Sequence, residues 1–325
     1  MKAAVYEQYG APEVVSIREV PTPTPAAGEV LIRVHATTVS TGDWRARSLE
    51  MPPGFGPFGR LFFGISRPRQ PILGTELSGT IAALGAGVSN FAVGDEVFAF
   101  ADAKMGAHAE FRCIAADGLV VKKPARLTFE QAAAISFGGM TMIGFYDRAA
   151  LRRGERVLVN GASGAVGSAA VQLARHAGAE VTAVCSAANA DIVRALGATH
   201  VIDYAREDFA TTGQTYDVIV DTVGNAPYAR VANALVAGGR LLAVLSGFGE
   251  LLRSPLAGRS RGHRVIAGPS VARVEDLQRL AALAAAGDYT PLIDRTYEFA
   301  QIVEAHRRVE TKRKRGSVVV MVSAA

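Results

Sequence analysis

The sequence predicts an α/β protein with two domains, one of which contains a parallel sheet covered by helices on both faces. Its 325 residues are about twice the length of a typical domain. From Pro124 onward, strand patterns alternate with helix patterns, which indicates the doubly wound architecture. A glycine-rich turn lies between the first strand and the first helix of that series, which is where such sheets bind ligands.

Composition and charge exclude several classes of protein. The chain has 35 Lys and Arg against 30 Asp and Glu, a net charge of +5, and 49% hydrophobic residues, as in ordinary soluble domains. Cys113 and Cys185 are too few for a disulfide framework or a four-cysteine zinc site. The chain starts without an apolar signal region and has no run of 18 apolar residues, so we expect a cytoplasmic protein that does not span a membrane. The one dense basic run, Lys312–Arg315, contains no aromatic residue for base stacking, so we expect no nucleic-acid partner.

The residues before Pro124 predict many short strands. Apolar runs bounded by Gly, Pro and Asp occur at Lys2–Val5, Glu29–His35, Ser78–Ala83 and Glu96–Ala99. Between Met51 and Pro71 there are four Gly, five Pro and four Phe, a composition that predicts a mobile, apolar-faced loop rather than a helix. We interpret this loop as a candidate lid over a substrate.

The residues after Pro124 predict an alternating series. The predicted strands are Val157–Val159, Val181–Val184, Val201–Ile202, Val218–Val220, Leu241–Leu245 and Arg264–Ala267. The predicted helices between them include an amphipathic one with an apolar stripe from Val166 to Ala177, then Asp191–Leu196 and Tyr228–Val236. A helix from Glu275, a segment Pro291–Arg295, another helix and a final strand Ser317–Val322 complete the chain.

The turn after the first strand of this series has the residue pattern of a phosphate-binding site. Gly164 allows the backbone to approach a diphosphate, Gly167 allows close packing of the helix on the strand, and the first N–H groups of the helix face the anion. Ala162 stands where the dinucleotide fingerprint has its first glycine. The candidate cofactor-binding residues here are Ala162, Ser163, Gly164, Ala165, Val166 and Gly167. The alternative is a glycine-rich turn without a ligand.

The type of cofactor depends on residues about twenty positions further on, where an acidic side chain would bind the ribose hydroxyls of NAD. The chain has no acid there until Asp191, which leaves room for the additional phosphate of NADP. We therefore predict NADPH, with NADH as the alternative. Ser186, Asn189 and Tyr204 are the candidate hydrogen-bonding residues, and for each the alternative is an ordinary surface position.

Four motifs in this order resemble the medium-chain dehydrogenase/reductase superfamily. They are Gly74-Thr-Glu-Leu-Ser-Gly79, Val93-Gly-Asp-Glu-Val97, Gly138-Gly-Met-Thr141 and Gly161-Ala-Ser-Gly-Ala-Val-Gly167. The chain is most similar in pattern to the zinc-independent branch, the quinone oxidoreductases related to zeta-crystallin and the alkenal reductases. The resemblance implies a GroES-like, partly open β-barrel domain from residues 1–123 and 272–325, with a Rossmann NADP-binding domain at 124–271. It also implies an active site between the domains and a homodimer.

The resemblance further implies that the site holds no metal. The zinc-dependent members have Cys, His and Cys or carboxylate ligands at the positions that correspond here to Ser40, Thr75 and the neighbourhood of Phe137. Hydroxyls and a phenyl ring do not form a tetrahedral zinc site. Without a Lewis acid to activate an alcohol, the expected reaction is hydride transfer from NADPH to a quinone or to the C=C bond of an α,β-unsaturated carbonyl compound.

The candidate residues on the substrate side are Ser40, Thr41 and Asp43 as polar groups and Trp44 as an apolar wall. Family reductases often have an Asn in the segment that begins here with Ser40, and this departure leaves a hydroxyl donor instead. Asp43 has a structural alternative, the cap of a helix that starts at Trp44, and Trp44 can equally be a core residue.

The remaining candidate cofactor contacts follow from the family motif and from strand ends. Thr141 belongs to the Gly-Met-Thr motif, with a buried helix hydroxyl as the alternative. Gly224 and Asn225 follow the fourth strand of the series, with a plain turn as the alternative, and Leu245, Ser246 and Gly247 end the fifth. Two other functions stay open: a zinc-independent dehydrogenase or enoyl reductase of one biosynthetic intermediate, and a non-enzymatic NADPH-binding protein of the crystallin or sensor type.

Overall fold

The computed structural model describes residues 1–322 and divides into two compact units. The first unit consists of residues 1–51, 56–137 and the described residues from 272 onward. The second consists of residues 52–55 and 138–271. Residues 124–137 therefore lie with the first unit, whereas the sequence analysis assigned them to the Rossmann domain. Among residues 1–322, no helix is long and apolar enough to cross a membrane.

Fifteen strands and ten α-helices are found in the described residues. The strands are β1 (Lys2–Val5), β2 (Ser16–Glu19), β3 (Glu29–Val39), β4 (Glu76–Leu84), β5 (Glu96–Phe100), β6 (Phe111–Ala115), β7 (Val120–Lys122), β8 (Arg156–Asn160), β9 (Glu180–Cys185), β10 (His200–Asp203), β11 (Tyr216–Asp221), β12 (Leu235–Ala243), β13 (Arg264–Ala267), β14 (Ile293–Glu298) and β15 (Ser317–Met321). The helices are α1 (Thr41–Ser48), α2 (Gly56–Phe63), α3 (Phe129–Ala133), α4 (Ser136–Ala149), α5 (Ala165–His176), α6 (Ala190–Ala195), α7 (Tyr228–Val231), α8 (Phe248–Arg253), α9 (Val274–Ala286) and α10 (Ile302–Glu310).

The first unit contains a mainly antiparallel sheet in the order β14-β15-β3-β4-β5-β7, and β6 also pairs with β3. Strand β3 is the centre of this sheet because its 11 residues pair with β4, β6 and β15. Val30, Ile32 and Val34 alternate along β3 and are fully buried in the core. Near its end, Thr37 lies opposite Leu77, which brings this part of β3 beside the start of β4.

The second unit contains six parallel strands in the order β10-β9-β8-β11-β12-β13. In the numbering of that unit the order is 3-2-1-4-5-6, which is the doubly wound arrangement that the alternating pattern predicted. The middle residues of the central strands are apolar because both faces of the sheet are covered, and Val157, Leu158 and Val159 are fully buried. The switch in strand order falls between β8 and β11.

Two predictions of local structure are wrong. Gly56–Phe63, inside the predicted loop, is the helix α2. Pro57 lies in its first turn, where the missing N–H costs nothing, and Gly59 allows close contact with Met51, since a Cβ at Gly59 would lie 2.6 Å from the Met51 Cγ. The helix predicted at Tyr228–Val236 is too long, because β12 begins at Leu235 and pairs with Tyr216 of β11.

Candidate active site

The predicted phosphate-binding turn lies between β8 and α5 in the second unit. Gly164 is the residue before the first turn of α5, in extended conformation, and no side chain caps it. The backbone N–H groups that follow belong to the start of a helix, where they lack acceptors within the helix. The positive end of the α5 dipole adds to this arrangement. The turn therefore presents donors and partial positive charge to an anion.

The two glycines of the turn have different structural roles. A Cβ at Gly167 would collide with the Gly161 carbonyl oxygen and lie 2.8 Å from its carbon, so the protein's own packing requires glycine there. A Cβ at Gly164 would meet only the Gly161 oxygen, at the ordinary contact distance of 3.5 Å. The backbone of Gly164 has φ −79° and ψ 173°, which any residue adopts. Other atoms of the protein therefore leave room for a side chain above Gly164, and the packing of the protein does not require glycine at this position.

A polar network that the sequence analysis missed holds the ends of the two central strands together. Asn160 ends β8, Asp221 ends β11, and the Asn160 Nδ2 donates to the Asp221 Oδ1 at 2.9 Å and to the Asn225 Oδ1 at 2.7 Å. The Asp221 carboxylate also accepts the N–H groups of Val223, Gly224 and Ala226. Both side chains are buried. Each follows three apolar residues of a strand, which is the signal that could have identified them.

The same network positions two predicted cofactor contacts. Gly224 and Asn225 lie at the switch point between β8 and β11, next to the turn. A Cβ at Gly224 would lie 3.1 Å from the side chain of Leu245, so the residues after β12 also reach this point. Ser246 and Gly247 follow, and Gly247 is the N-cap of α8. The carboxyl ends of three strands thus carry the predicted residues on one edge of the sheet.

The predicted ribose-side residues lie on the other side of the turn. The Asn189 Nδ2 donates to the Ser163 Oγ at 2.9 Å, which joins the loop after β9 to the turn. Ser186 directly follows β9 and is the N-cap of a short 3-10 helix. The Tyr204 N–H donates to the Cys185 carbonyl oxygen, and its side chain is exposed. The structure therefore brings Ser163, Ser186, Asn189 and Tyr204 to adjacent strand ends.

Thr141 lies on α4, which packs against the start of α5. A Cβ at Gly138 would lie 2.5 Å from the Ala165 carbonyl oxygen, so the two helices are in close contact at this point. Thr141 is three residues further along α4 and hence on the same face. The contact of Thr141 with the cofactor stays a prediction.

The four predicted substrate-side residues belong to the start of α1 in the first unit. Ser40 is the N-cap: its Oγ accepts from the Asp43 N–H at 3.2 Å and donates to the Asp43 Oδ2 at 2.6 Å. The Asp43 Oδ2 also accepts the Ser40 N–H, and its Oδ1 accepts the Gly74 N–H at 2.8 Å. The geometry thus favours the capping interpretation of Asp43, although α1 begins at Thr41 and not at Trp44.

Thr41 and Trp44 have different environments. Thr41 is half-buried, at the first position of α1. Trp44 is buried in the core of the first unit, where its Nε1 donates to the Glu310 Oε1 at 3.3 Å and the Lys312 ammonium lies over its ring. Trp44 is therefore a core residue, while Thr41 keeps the more accessible hydroxyl of the group.

A buried carboxylate that the sequence analysis did not select lies in the same unit. Glu76 begins β4; its Oε1 accepts from the Thr38 Oγ1 at 2.7 Å and its Oε2 from the Phe137 N–H, in the first turn of α4, at 2.7 Å. Burial raises the pKa of Glu76 from its ordinary value of 4.5 to about 7, although both hydrogen bonds act in the opposite direction. The half-buried Lys314, whose own pKa is lowered by burial to about 8, is the nearby cation. The feature of the sequence that could have identified Glu76 is that it is the single acid in a mainly apolar strand.

The positions that would bind zinc do not fit that ion. Ser40 is engaged with Asp43, Thr75 offers a hydroxyl, and Phe137 offers a phenyl ring. Among the side chains of residues 1–322, no group of three His, Cys, Asp or Glu could hold a metal ion. The residues present are therefore not those of a tetrahedral nitrogen and sulfur site.

Comparison with known families defines the class of the protein. Residues 26–142 match the model described as the alcohol dehydrogenase GroES-like domain, and residues 196–320 match the model described as zinc-binding dehydrogenase. The chain belongs to the medium-chain dehydrogenase/reductase superfamily, which confirms the resemblance and the fold: a GroES-like domain and a Rossmann-like parallel sheet.

Within that superfamily the chain is similar to quinone and enone reductases. Human quinone oxidoreductase is 30% identical over 95% of this chain and 94% of its own length. The 2-methylene-furan-3-one reductase of Solanum lycopersicum is 28% identical over 98% of this chain and 79% of its own length. The structure of the quinone oxidoreductase from Coxiella burnetii superposes with a TM-score of 0.88 at 28% identity, covering 99% of each chain. The protein is thus an oxidoreductase of a family that uses a nicotinamide nucleotide and small-molecule substrates.

Proposed function

We propose that the protein is an NADPH-dependent reductase that transfers hydride, without zinc, to a quinone or to the C=C bond of an α,β-unsaturated carbonyl compound. The binding of a nucleotide is proposed from the open space above Gly164, where the packing of the protein itself does not require a glycine. A diphosphate in that space would accept hydrogen bonds from the first N–H groups of α5. The bound nucleotide would supply the hydride.

The residues around the turn would orient the nucleotide along one edge of the sheet. The hydrogen bonds of Asn160 and Asp221 hold Gly224 and Asn225 in place, and these two residues would then lie beside the diphosphate. Leu245, which packs near Gly224, would form an apolar wall on the nicotinamide side. Thr141, on the face of α4 that meets α5, would donate or accept a hydrogen bond near the same end.

The preference for NADPH is proposed from the residues after β9. The first acid in that segment, Asp191, is fully exposed and pairs with Arg194 at 2.9 Å, so it is engaged away from the strand end. The neutral groups there, Ser163, Ser186, Asn189 and Tyr204, offer hydroxyl and amide hydrogen bonds to a ribose phosphate. A carboxylate at Ser186 would instead repel that phosphate.

The type of acceptor is proposed from the absence of a Lewis-acid site at Ser40, Thr75 and Phe137 and from the similarity to quinone and enone reductases. Hydride addition to such acceptors develops negative charge on an oxygen, so the chain needs to provide hydrogen-bond donors rather than a metal. Because the Ser40 hydroxyl donates to Asp43, we assign the donor role to the more accessible Thr41 hydroxyl.

Rapid mixing of the protein, after its metal content has been measured, tests the cofactor and the reaction class together. NADPH or NADH is mixed with a panel of benzoquinones, naphthoquinones and short enals, and NADP is mixed with simple alcohols. We expect oxidation of NADPH by quinones or enals and no reduction of NADP by alcohols. Stoichiometric zinc whose removal abolishes turnover would contradict the proposal. Tight NADPH binding without turnover of any acceptor would instead support a non-enzymatic nucleotide-binding protein.

A further inference from the structure

Helix α2 in the first unit has one face fixed to the protein and another that is apolar and exposed. On the inner face, Gly59 is buried against Met51, Phe63 packs on the core cluster, and the Gly64 carbonyl oxygen accepts the Tyr9 hydroxyl at 2.8 Å. These contacts define which side of α2 faces outward.

The outer face is a continuous apolar stripe. It consists of Phe58, Leu61 and Phe62, whose spacing of i, i+3 and i+4 places them on one side of α2, together with Ile65, which follows the end of the helix. Their exposed fractions are 51%, 62%, 58% and 67%. Large apolar side chains gathered in this way mark a surface that binds something, whereas single exposed apolar residues do not. We refer to these four residues as the α2 stripe.

The charged residues in the segment that contains the α2 stripe all have one sign. Arg60, Arg67 and Arg69 are exposed in this segment, and no Asp or Glu occurs between Met51 and Thr75. An apolar helical face flanked by arginines is the pattern of a helix that lies in the plane of a lipid interface. The eight residues of α2 span about 12 Å at 1.5 Å per residue, which is too short to cross a bilayer.

We propose that the α2 stripe inserts into the surface of a bilayer that contains anionic phospholipids. The apolar side chains would contact the outer acyl chains while the three arginines pair with lipid phosphates. A second copy of this chain is a poorer occupant, because a twofold interface places the same patch against itself and would bring the three arginines of each copy together.

Co-sedimentation of the 325-residue chain, saturated with NADPH, with phospholipid vesicles of two compositions tests the proposal. We expect binding to equimolar phosphatidylcholine and phosphatidylglycerol, weaker binding to phosphatidylcholine alone, and a decrease as salt is added. Leu61→Ser combined with Phe62→Ser should lower the apparent affinity for the anionic vesicles by about tenfold or more. Arg67→Gln with Arg69→Gln should remove the preference for anionic lipid.

The matched control is Val93→Ser combined with Val271→Ser, which also removes two exposed apolar side chains and should leave vesicle binding unchanged. Circular dichroism verifies that each variant folds. The proposal is overturned if the wild-type chain does not sediment with anionic vesicles, or if the Leu61 and Phe62 variant binds them equally well. It is also overturned if that variant changes only the oligomeric state, or only the KM for a water-soluble quinone, since the stripe would then bind a second copy or the substrate.

Discussion

Replacing Gly164 by Ala separates nucleotide binding from folding more cleanly than any other change in the turn. The added Cβ would meet only the Gly161 oxygen, at 3.5 Å, so no atom has to move. Two small effects on the free energy of unfolding oppose each other: alanine is a poorer N-cap than glycine, but it also restricts the unfolded chain. We expect a net change of less than about 1 kcal/mol.

Nucleotide binding should respond differently to the same methyl group. The Cβ would occupy the space in which a diphosphate approaches the N–H groups of α5. Loss or lengthening of one charge-assisted hydrogen bond costs about 1.5–3 kcal/mol, which corresponds to a Kd for NADPH that is about tenfold to hundredfold weaker. Isothermal titration with NADPH and urea unfolding followed by circular dichroism measure the two quantities on the same preparation.

Gly167→Ala is the matched comparison. Its Cβ would collide with the Gly161 carbonyl group and lie 2.9 Å from the Ala162 Cα, so the backbone must shift. We expect a loss of about 1–3 kcal/mol in the free energy of unfolding, by analogy with overpacked cores. An unchanged Kd in Gly164→Ala, or a loss of stability as large as that of Gly167→Ala, would refute the idea that the space above Gly164 serves a ligand.

Three further predictions concern the other residues of the two units. The folded-state pKa of Glu76 is about 7, above its ordinary value of 4.5, so the stability that its protonated form contributes is complete below pH 4.5 and declines as the pH rises to about 7. Glu76→Gln cannot ionise and should therefore flatten the dependence of the free energy of unfolding on pH in that window. Urea unfolding at several pH values measures this dependence. Ser186→Asp should repel the ribose phosphate and so lower the ratio of kcat/KM for NADPH to kcat/KM for NADH by about tenfold or more. Asp191→Asn is the control and should leave this ratio unchanged. A ratio that Ser186→Asp does not change would show that the ribose lies elsewhere. Thr41→Val should lower kcat for a quinone by about tenfold or more with little change in the Kd for NADPH, and equal losses in both would indicate a structural role for the hydroxyl.

Sequence patterns identified the second unit well because its signals are local and repeated. Each of its six strands was predicted, and the order in the sheet follows from the way that doubly wound sheets are built. The turn from Gly161 to Gly167 carries its own chemistry in its glycines. The similarity to reductases of the superfamily was likewise visible in short motifs.

The sequence was less informative where long-range packing decides the structure. The abundant Gly and Pro near α2 indicated a loop, but Gly59 serves packing against Met51 and Pro57 is acceptable in a first turn. Glu76 and Asp221 are harder to recognise as network centres, because each has a hydrogen-bond partner 61 residues away in the chain, Phe137 and Asn160 respectively, which it meets only in the folded protein. Ser40 and Asp43 resemble catalytic residues in the sequence because a capping box and a pair of reactive groups use the same residue types.

The first unit is assembled from both parts of the chain that flank the second. Strand β15 pairs with β3 in the middle of the sheet, and the paired residues, such as Val318 and Val39, are about 280 positions apart in the chain. During translation, residues 138–271 can therefore form their sheet while the first unit still lacks a central neighbour for β3. Until β15 is synthesised, that part of the β3 edge is open to pairing with other chains, which favours aggregation.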